Sequence, residues 1–326
     1  MALPLSILDL APVRSGQTPR ESFAASVELA RLAEGAGYRR IWYAEHHNMP
    51  TIASSATSVL IAHVAAHTER IRLGAGGVML PNHSPLVIAE QFGTLEVLHP
   101  GRIDLGLGRA PGSDRNTMYA LRRDEATADR FPDDVLELQA FLGDETRVPG
   151  VYAHPGRGSQ VPLYILGSSL FGAELAALLG LPYAFASHFA PAALQDAVAL
   201  YRRRFQPSAQ LAEPHVIAGV NVIAADTEAD AQEQFQRAKR SRVRAFARPG
   251  IKLSDEQADA VLTTPEGRHI EQMVVYSAVG RPAEVREYLE GFAKHADADE
   301  LIVALQSPAT DERLRSAELL AAELLG

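Results

Sequence analysis

Glu45, His46 and His47 are the residues of this chain whose types and spacing point most clearly to chemistry. They follow an apolar run at 41–43 that predicts the end of a buried strand. Because side chains alternate across a strand, His46 and His47 should point to opposite sides. This favours a single positioned imidazole over a two-histidine metal clamp, and we expect no metal. Alternation alone allows either histidine to face the cavity, and we assign His46 to the cavity and His47 to the wall. A hydrogen-bonded histidine in the cavity wall is the alternative for His46.

Gly167, Ser168 and Ser169 form a candidate phosphate site between a predicted strand and a predicted helix. A glycine turn, two hydroxyl groups and a helix N-terminus all favour an anion. Arg109 follows the preceding predicted strand, beside a Pro-Gly turn at 111–112, and its guanidinium could bind the same phosphate through two hydrogen bonds. The alternatives are an ordinary serine N-cap and a surface ion pair for Arg109.

Ala75 and Gly76 lie in a stretch at 74–77 that has little side-chain bulk. Such a stretch lets a flat ligand approach the backbone closely. The spacing is not the Gly-x-Gly-x-x-Gly pattern of a dinucleotide site, so we predict no Rossmann fold. A bulged or sharply bent strand end is the alternative.

All these groups follow predicted strands in an alternation of apolar runs with amphipathic stretches. Strands are predicted near 3–8, 40–44, 71–74, 103–107, 163–166, 183–186, 216–224 and 300–304, and helices near 19–34, 53–67, 85–98, 128–142, 172–179, 191–205 and 310–325. Eight strand–helix units favour a closed (β/α)8 TIM barrel over an open doubly wound sheet. In such a barrel the groups above would share the carboxyl face, where active sites are built.

Two stretches exceed a minimal barrel unit. Residues 143–158 are rich in Gly, Pro and polar residues and predict a hairpin. Residues 226–281 predict a largely helical insertion, the largest one, between strands seven and eight, within a single domain of 1–326. A basic run at 237–244 could be a nucleic-acid patch, but its acidic flanks and lack of aromatic residues favour a solvated helix face.

The composition narrows the function classes. The chain has 326 residues, a net charge of −9 and no cysteine, which excludes disulfides, thiol nucleophiles and Cys-ligated metal sites. Its acidic balance argues against a general nucleic-acid coat. No signal-peptide pattern and no bilayer-long apolar run are present, so we expect a cytoplasmic enzyme without nucleic-acid or membrane partners.

The order of these motifs resembles the bacterial luciferase-like flavin-dependent monooxygenases, in the luciferase-like oxidoreductase subgroup. The matching segments, which span nearly the whole chain, are 45–47, 74–81, 106–109, 167–169, 181–191, 299–303 and 312–320. The resemblance implies a barrel with an insertion after strand seven. It also implies reduced FMN delivered by a separate NAD(P)H-dependent flavin reductase, O2 as co-substrate, and a C4a-hydroperoxyflavin that oxygenates a small organic substrate. A homodimer through the helices near strands two and three is expected on the same ground.

The resemblance also assigns roles to the site residues. Ala75 and Gly76 match the segment under the flavin ring, where the family often has a non-prolyl cis peptide. Arg109, Ser168 and Ser169 match the phosphate-binding positions.

His46 matches the histidine beside the flavin that assists peroxyflavin chemistry. One alternative is a relative that uses a deazaflavin for hydride transfer without O2. Another is a non-catalytic flavin-binding subunit. A metal-dependent hydrolase is disfavoured, because the sequence suggests no carboxylate–histidine ligand set. The insertion departs most from luciferase, so the sequence does not name the substrate.

Overall fold

A closed barrel of parallel strands forms the centre of the protein in a computed structural model, which describes residues 3–110, 114–248 and 251–326. Among these residues there are nine strands: β1 (Leu5–Asp9), β2 (Arg40–Tyr43), β3 (Arg72–Met79), β4 (Ile103–Gly108), β5 (Leu163–Gly167), β6 (Tyr183–Phe185), β7 (Val216–Ala224), β8 (Ser277–Gly280) and β9 (Glu300–Leu305). β1 to β7 and β9 close the barrel, because β6 pairs with β7 and β9 pairs with both β1 and β7. The predicted (β/α)8 fold is confirmed.

Helices connect the strands around the barrel. Their bounds are α1 (Pro19–Ala36), α2 (Thr57–Ala65), α3 (Pro85–Leu98), α4 (Arg115–Ala120), α5 (Phe131–Leu142), α6 (Leu170–Leu179), α7 (Leu194–Arg204), α8 (Glu228–Arg242), α9 (Asp255–Leu262), α10 (Pro265–Met273), α11 (Pro282–His295) and α12 (Thr310–Leu324). α1 begins with the capping box that its sequence predicts, in which Thr18 and Glu21 bond to each other's backbone N–H. α2 begins four residues later than predicted, because the Ala53 amide donates to the Ala11 carbonyl at 3.0 Å and holds that stretch in a loop.

The strand β8 was not predicted. It is four residues long and pairs with only the second half of β7, where Asn221 lies opposite Ser277 and Ala224 opposite Gly280. β9 pairs with most of β7, so β8 lies outside the closed barrel. A strand this short has no apolar run that distinguishes it from a loop.

The hairpin predicted for 143–158 is wrong. The segment contains turns and no strand. Its ends are joined instead by bonds from the Gly158 amide to the Gly143 carbonyl at 2.9 Å and from the Gln160 amide to the Leu142 carbonyl at 3.0 Å. Gly and Pro signal chain reversal, and here they form a closed loop rather than paired strands.

The insertion lies where it was predicted, after β7. It consists of α8, a π-helical turn at Val243–Ala247, α9 and α10. A small apolar cluster centred on the buried Val243, Ala258 and Ile270 joins the π-helical turn, α9 and α10 and is separate from the main core. That the whole chain is one domain stays a prediction.

Two kinds of layer fill the barrel interior. An apolar layer consists of Leu8, Trp42, Ala44, Tyr164, Ala184, Ile217 and Ile302. At the amino ends of the strands lie Arg40, Asp104 and Glu300, all at most 1% exposed. Charges at this end stabilise the barrel, whereas the carboxyl end is available for chemistry.

Candidate active site

His46 continues the inward alternation of β2, in which Trp42 and Ala44 also face the interior. Its ring is half-buried, and its Nδ1 lies 3.4 Å from the Ala44 carbonyl oxygen. Burial lowers the pKa of His46 below its ordinary value, against the opposing effect of that carbonyl and of Glu45. The imidazole is therefore mainly neutral at pH 7 and able to accept a proton.

A groove of about 480 Å³ opens beside His46. It is bounded by His46, Asn48, Met49, Pro50, Ile52 and Ser55. His46 also helps to lower the pKa of His188, which follows β6. His46 and His188 thus follow β2 and β6, which lie on opposite sides of the barrel.

His47 belongs to a different group. Its Nε2 donates to Glu45 Oε1 at 2.7 Å, and the Nε2 of His83 donates to the same carboxylate at 2.9 Å. The Met79 amide donates to Glu45 Oε2 at 3.0 Å. Glu45 therefore joins the end of β2 to the end of β3, and His47 lies in the wall as expected from strand alternation.

This cluster contains a carboxylate–histidine set that the sequence did not reveal, because His83 lies 38 residues from Glu45. One ligand-type atom from each of Glu45, His47 and His83 lies within 4.8 Å of the others, close enough to hold a metal ion. Burial would raise the pKa of Glu45. The hydrogen bonds from His47 and His83 outweigh the effect of burial and lower the pKa of Glu45 to about 2. The bond to Glu45 raises the pKa of His47. Hydrogen bonds and ion pairing thus account for the cluster, and the absence of a metal stays an expectation.

The glycine stretch at the end of β3 lies directly over the barrel interior. The Gly76–Gly77 peptide is cis, one residue after the Ala75–Gly76 pair named from the sequence. A Cβ atom on Gly76 would lie 2.8 Å from Trp42 Cβ, and one on Gly77 would lie 2.7 Å from the Gly106 carbonyl oxygen. The protein's own packing therefore requires both glycines, and the strand has a register irregularity between Ala75 and Val78, so the bulged-strand alternative also applies.

Ala75 presents only its backbone to the mouth. Its side chain is fully buried in the main core outside the barrel, away from the interior layer. A ligand over this stretch would meet peptide groups and glycine Cα atoms rather than side chains.

Arg109 and Gly167 lie side by side, because the register of β4 and β5 pairs Gly108 with Leu166. The guanidinium carbon of Arg109 lies 4.2 Å from the centre of the Phe171 ring, in the first turn of α6. An approach of 3.9 Å to the exposed Asp129 leaves it only weakly paired. The Pro-Gly turn at 111–112 lies outside the described residues.

Ser168 and Ser169 are exposed at the start of α6. Ser169 occupies the N-cap position, but its side chain caps no backbone N–H. Its carbonyl oxygen instead accepts a hydrogen bond from the Tyr183 hydroxyl at 3.0 Å, which fixes the turn. The Ser169 side chain thus caps none of the N–H groups of the first turn of α6, and Arg109 lies over Phe171 in the same turn, as an anion site requires.

None of the helices in the described ranges has the length and apolarity needed to cross a bilayer.

Comparison with known proteins gives the family. The family model "Luciferase-like monooxygenase" matches residues 3–299. A protein of Escherichia coli K12 with the same description is 50% identical over 327 residues, which cover 98% of each chain. The N-acetyl-S-alkylcysteine monooxygenase of Bacillus subtilis 168 is 35% identical over 268 residues, which cover 79% of each chain.

Solved structures agree with the fold. Apo-MsnO8 superposes with a TM-score of 0.88 at 37% identity, with 98% of both chains covered. The oxygenating constituent of 3,6-diketocamphane monooxygenase from Pseudomonas putida, in complex with FMN, gives a TM-score of 0.73 at 17% identity, over 99% of this chain and 98% of that one. An F420-dependent secondary alcohol dehydrogenase gives 0.72 at 15% identity, over 99% of both chains. The resemblance seen in the motifs is confirmed: the chain belongs to the luciferase-like monooxygenase family.

Proposed function

We propose that this protein is a monooxygenase that uses reduced FMN and O2 to oxygenate a small organic substrate. One observation carries the proposal. The strands β2, β3, β4 and β5 are neighbours in the barrel. His46 follows β2, the Gly76–Gly77 peptide lies in the second half of β3, Arg109 follows β4 and the Ser168–Ser169 turn follows β5. The imidazole and the flat backbone surface would contact the ring of one flavin mononucleotide. The guanidinium and the anion-binding turn come next around the barrel and would contact its phosphate.

Each of these groups has a part in the proposed reaction. Arg109 and the first turn of α6 hold the phosphate, and the glycine stretch supports the ring. Bound reduced flavin would supply the electrons that convert O2 into one oxygen atom on the substrate and one molecule of water. His46, being neutral, exchanges a proton at its ring nitrogen during that conversion. The FMN in the diketocamphane enzyme and the small thioether in the name of the Bacillus relative support this reading.

Arg109 gives the test of the cofactor. Trp42, the sole tryptophan, lies buried against Gly76, so bound flavin should quench its emission. In Arg109→Met, FMN affinity should fall about tenfold to hundredfold, because a charge-assisted bond to phosphate is lost. Riboflavin, which has no phosphate, should bind both proteins equally.

Arg157→Met is the matched control, because Arg157 also stacks on an aromatic ring, at 4.3 Å from Tyr152, but belongs to a different loop. It should leave both affinities unchanged. Equal losses of FMN and riboflavin affinity in Arg109→Met would show that Arg109 supports the fold and not the phosphate.

We also propose that reduced FMN comes from a separate NAD(P)H-dependent reductase. The protein alone, given NADH or NADPH and FMN, should oxidise no nicotinamide, and adding a flavin reductase should start oxygen uptake. A deazaflavin-dependent hydride transfer would instead require reduced deazaflavin and no O2. A non-catalytic subunit would bind reduced FMN and form no oxygenated product.

A homodimer through α2 and α3 is part of the proposal. These neighbouring helices expose the apolar side chains Val59, Val97 and Leu98 by 57–68% of their surface, which supports a protein–protein contact there. Leu98→Glu should convert a dimer into a monomer in light-scattering measurements. Leu178→Glu, at a 49% exposed leucine on α6, should not. A wild-type protein that is already monomeric would contradict this assignment.

A further inference from the structure

Arg242, the last residue of α8, points into the barrel mouth. Its Nη2 donates to Asn221 Oδ1 at 3.2 Å. Asn221 is 1% exposed and lies on β7 two positions beyond Gly219 and four beyond Ile217, which belongs to the barrel-interior layer. By strand alternation Asn221 therefore faces inward, and Arg242 reaches the mouth from the insertion.

The Asn221 amide is held in one orientation. Its Nδ2 donates to the His188 carbonyl oxygen at 2.7 Å and to the Tyr276 carbonyl oxygen at 3.3 Å. Its oxygen is thus left to receive Arg242. Three elements, namely β7, the end of β6 and the segment before β8, position this one guanidinium.

Arg242 differs from the other Lys and Arg residues at 237–248. Each of those has a carboxylate partner: Arg237 with Glu312 at 2.7 Å, Lys239 with Glu271 at 3.1 Å, Arg240 with Asp259 at 2.6 Å, Arg244 with Asp255 at 2.6 Å and Arg248 with Glu266 at 2.7 Å. Among the described residues, none of the carboxylates lies within ion-pair distance of Arg242. The prediction of a solvated face is wrong for this residue, and burial lowers its pKa to about 10.

The surroundings of Arg242 add no negative charge. The nearby ring of His188 has its pKa lowered to about 3, mainly by burial and further by the charge of Arg242, so it is neutral. Its Nδ1 is buried and has no hydrogen-bond partner among the described residues. A guanidinium has five N–H donors, and Asn221 receives one. Arg242 is half-buried, and a cation that is partly withdrawn from water and lacks a carboxylate partner is stabilised when an anion pairs with it.

The Arg242 site is distinct from the candidate phosphate site at Arg109, Ser168 and Ser169. Arg109 and Ser169 lie after β4 and β5, whereas Arg242 contacts residues on β7 and after β6. A π-helical turn follows Arg242 directly, and such turns are frequent at functional sites. A second anion therefore has its own receptor on the far side of the mouth from His46.

We propose that Arg242, held by Asn221, binds the carboxylate of an organic acid that is the substrate of this enzyme. That the bound acid is a substrate rests on the proposed function. Binding of the acid at Arg242 can be tested without turnover. Guanidinium and carboxylate match in geometry and form two parallel hydrogen bonds.

The test is calorimetric titration of the full chain with acetate, hexanoate and benzoate, each against its own neutral amide. At least one acid should bind about tenfold to hundredfold more tightly than its amide, as a charge-assisted hydrogen bond requires. Arg242→Met should abolish that preference, and Arg242→Lys should retain part of it. Lys239→Met, which removes the same charge from α8 at a residue already paired with Glu271, should leave it intact.

The outcomes separate the two proposals. If the wild type prefers no acid over its amide, the proposed anion site is wrong. It is also wrong if the preference for an acid persists in Arg242→Met. Loss of FMN affinity in Arg242→Met, with riboflavin affinity unchanged, would assign the anion to the cofactor phosphate and overturn the substrate assignment. If the acid preference depends on Arg242 but reduced FMN does not bind the wild type, the anion site stands and the proposed function fails.

Discussion

A His46→Gln variant is expected to form oxygenated product about 10²–10⁴ times more slowly than the wild type, the usual contribution of a positioned general acid or base. Glutamine keeps a polar group of similar reach but cannot exchange a proton near neutral pH. The measurement is transfer of isotopically labelled oxygen from O2 to an organic acid substrate, at saturating reduced FMN. His63→Gln, on the outer helix α2, serves as the control and should match the wild type.

The pH profile gives the same prediction a second readout. Because burial lowers the pKa of His46 below its ordinary value of 6.5, the neutral ring predominates at pH 7. Turnover should therefore be level near neutrality and fall as the pH decreases through that lowered pKa. His46→Gln should lose this acid limb. An unchanged rate, or an unchanged acid limb in the variant, would remove His46 from the mechanism.

An Arg40→Met variant is expected to lose about 3–5 kcal/mol of unfolding free energy, because it leaves buried carboxylates without their central partner. Arg40 is 1% exposed, and its Nη1 donates to Asp104 Oδ2 at 2.8 Å and to the Tyr164 hydroxyl at 2.7 Å. Its Nε lies 2.9 Å from Glu300 Oε1. Arg72 also bonds to Asp104, but on its other oxygen, and cannot replace Arg40 between the two acids.

The neighbouring Arg39 supplies a matched control. It lies 3.4 Å from the same Glu300, yet its side chain is 46% exposed. Arg39→Met should cost about 0–1 kcal/mol, as exposed ion pairs do. Urea unfolding followed by circular dichroism measures both variants, since Trp42 donates to Asp104 and its emission would report the network itself. Equal losses in the two variants would show that burial of Arg40 is not what stabilises the barrel base.

Much of the fold could be predicted from the sequence because the strands are buried on both faces. The apolar run at Val216–Ala224 predicted β7 with its observed bounds. β3 was predicted to end at Gly74 but continues to Met79, since glycines have low strand propensity and only pairing with β4, such as Val78 with Leu107, extends it. Tertiary pairing determined that boundary.

The candidate site was predictable where it follows strand ends, and not where distant segments meet. Strand alternation separated His46 from His47, but His83 reaches Glu45 only through the turn after β3. The helical spacing of the sequence indicated that Arg242 faces inward, but the basic residues around it favoured a solvated helix face. It lies four residues after Ala238 and continues the buried stripe of Ala231, Gln234 and Ala238 along α8.

The central claim is that this protein uses reduced FMN as its cofactor and O2 as its co-substrate. One measurement tests this claim directly. Trp42 emission is followed while the oxygen-free protein is titrated with reduced FMN or with reduced deazaflavin, and oxygen is then admitted in the presence of an organic acid. The account predicts saturable quenching by reduced FMN, at one flavin per chain, and labelled oxygen in the acid product. Quenching by reduced deazaflavin alone, or bound reduced FMN that oxidises without labelling any product, would contradict it.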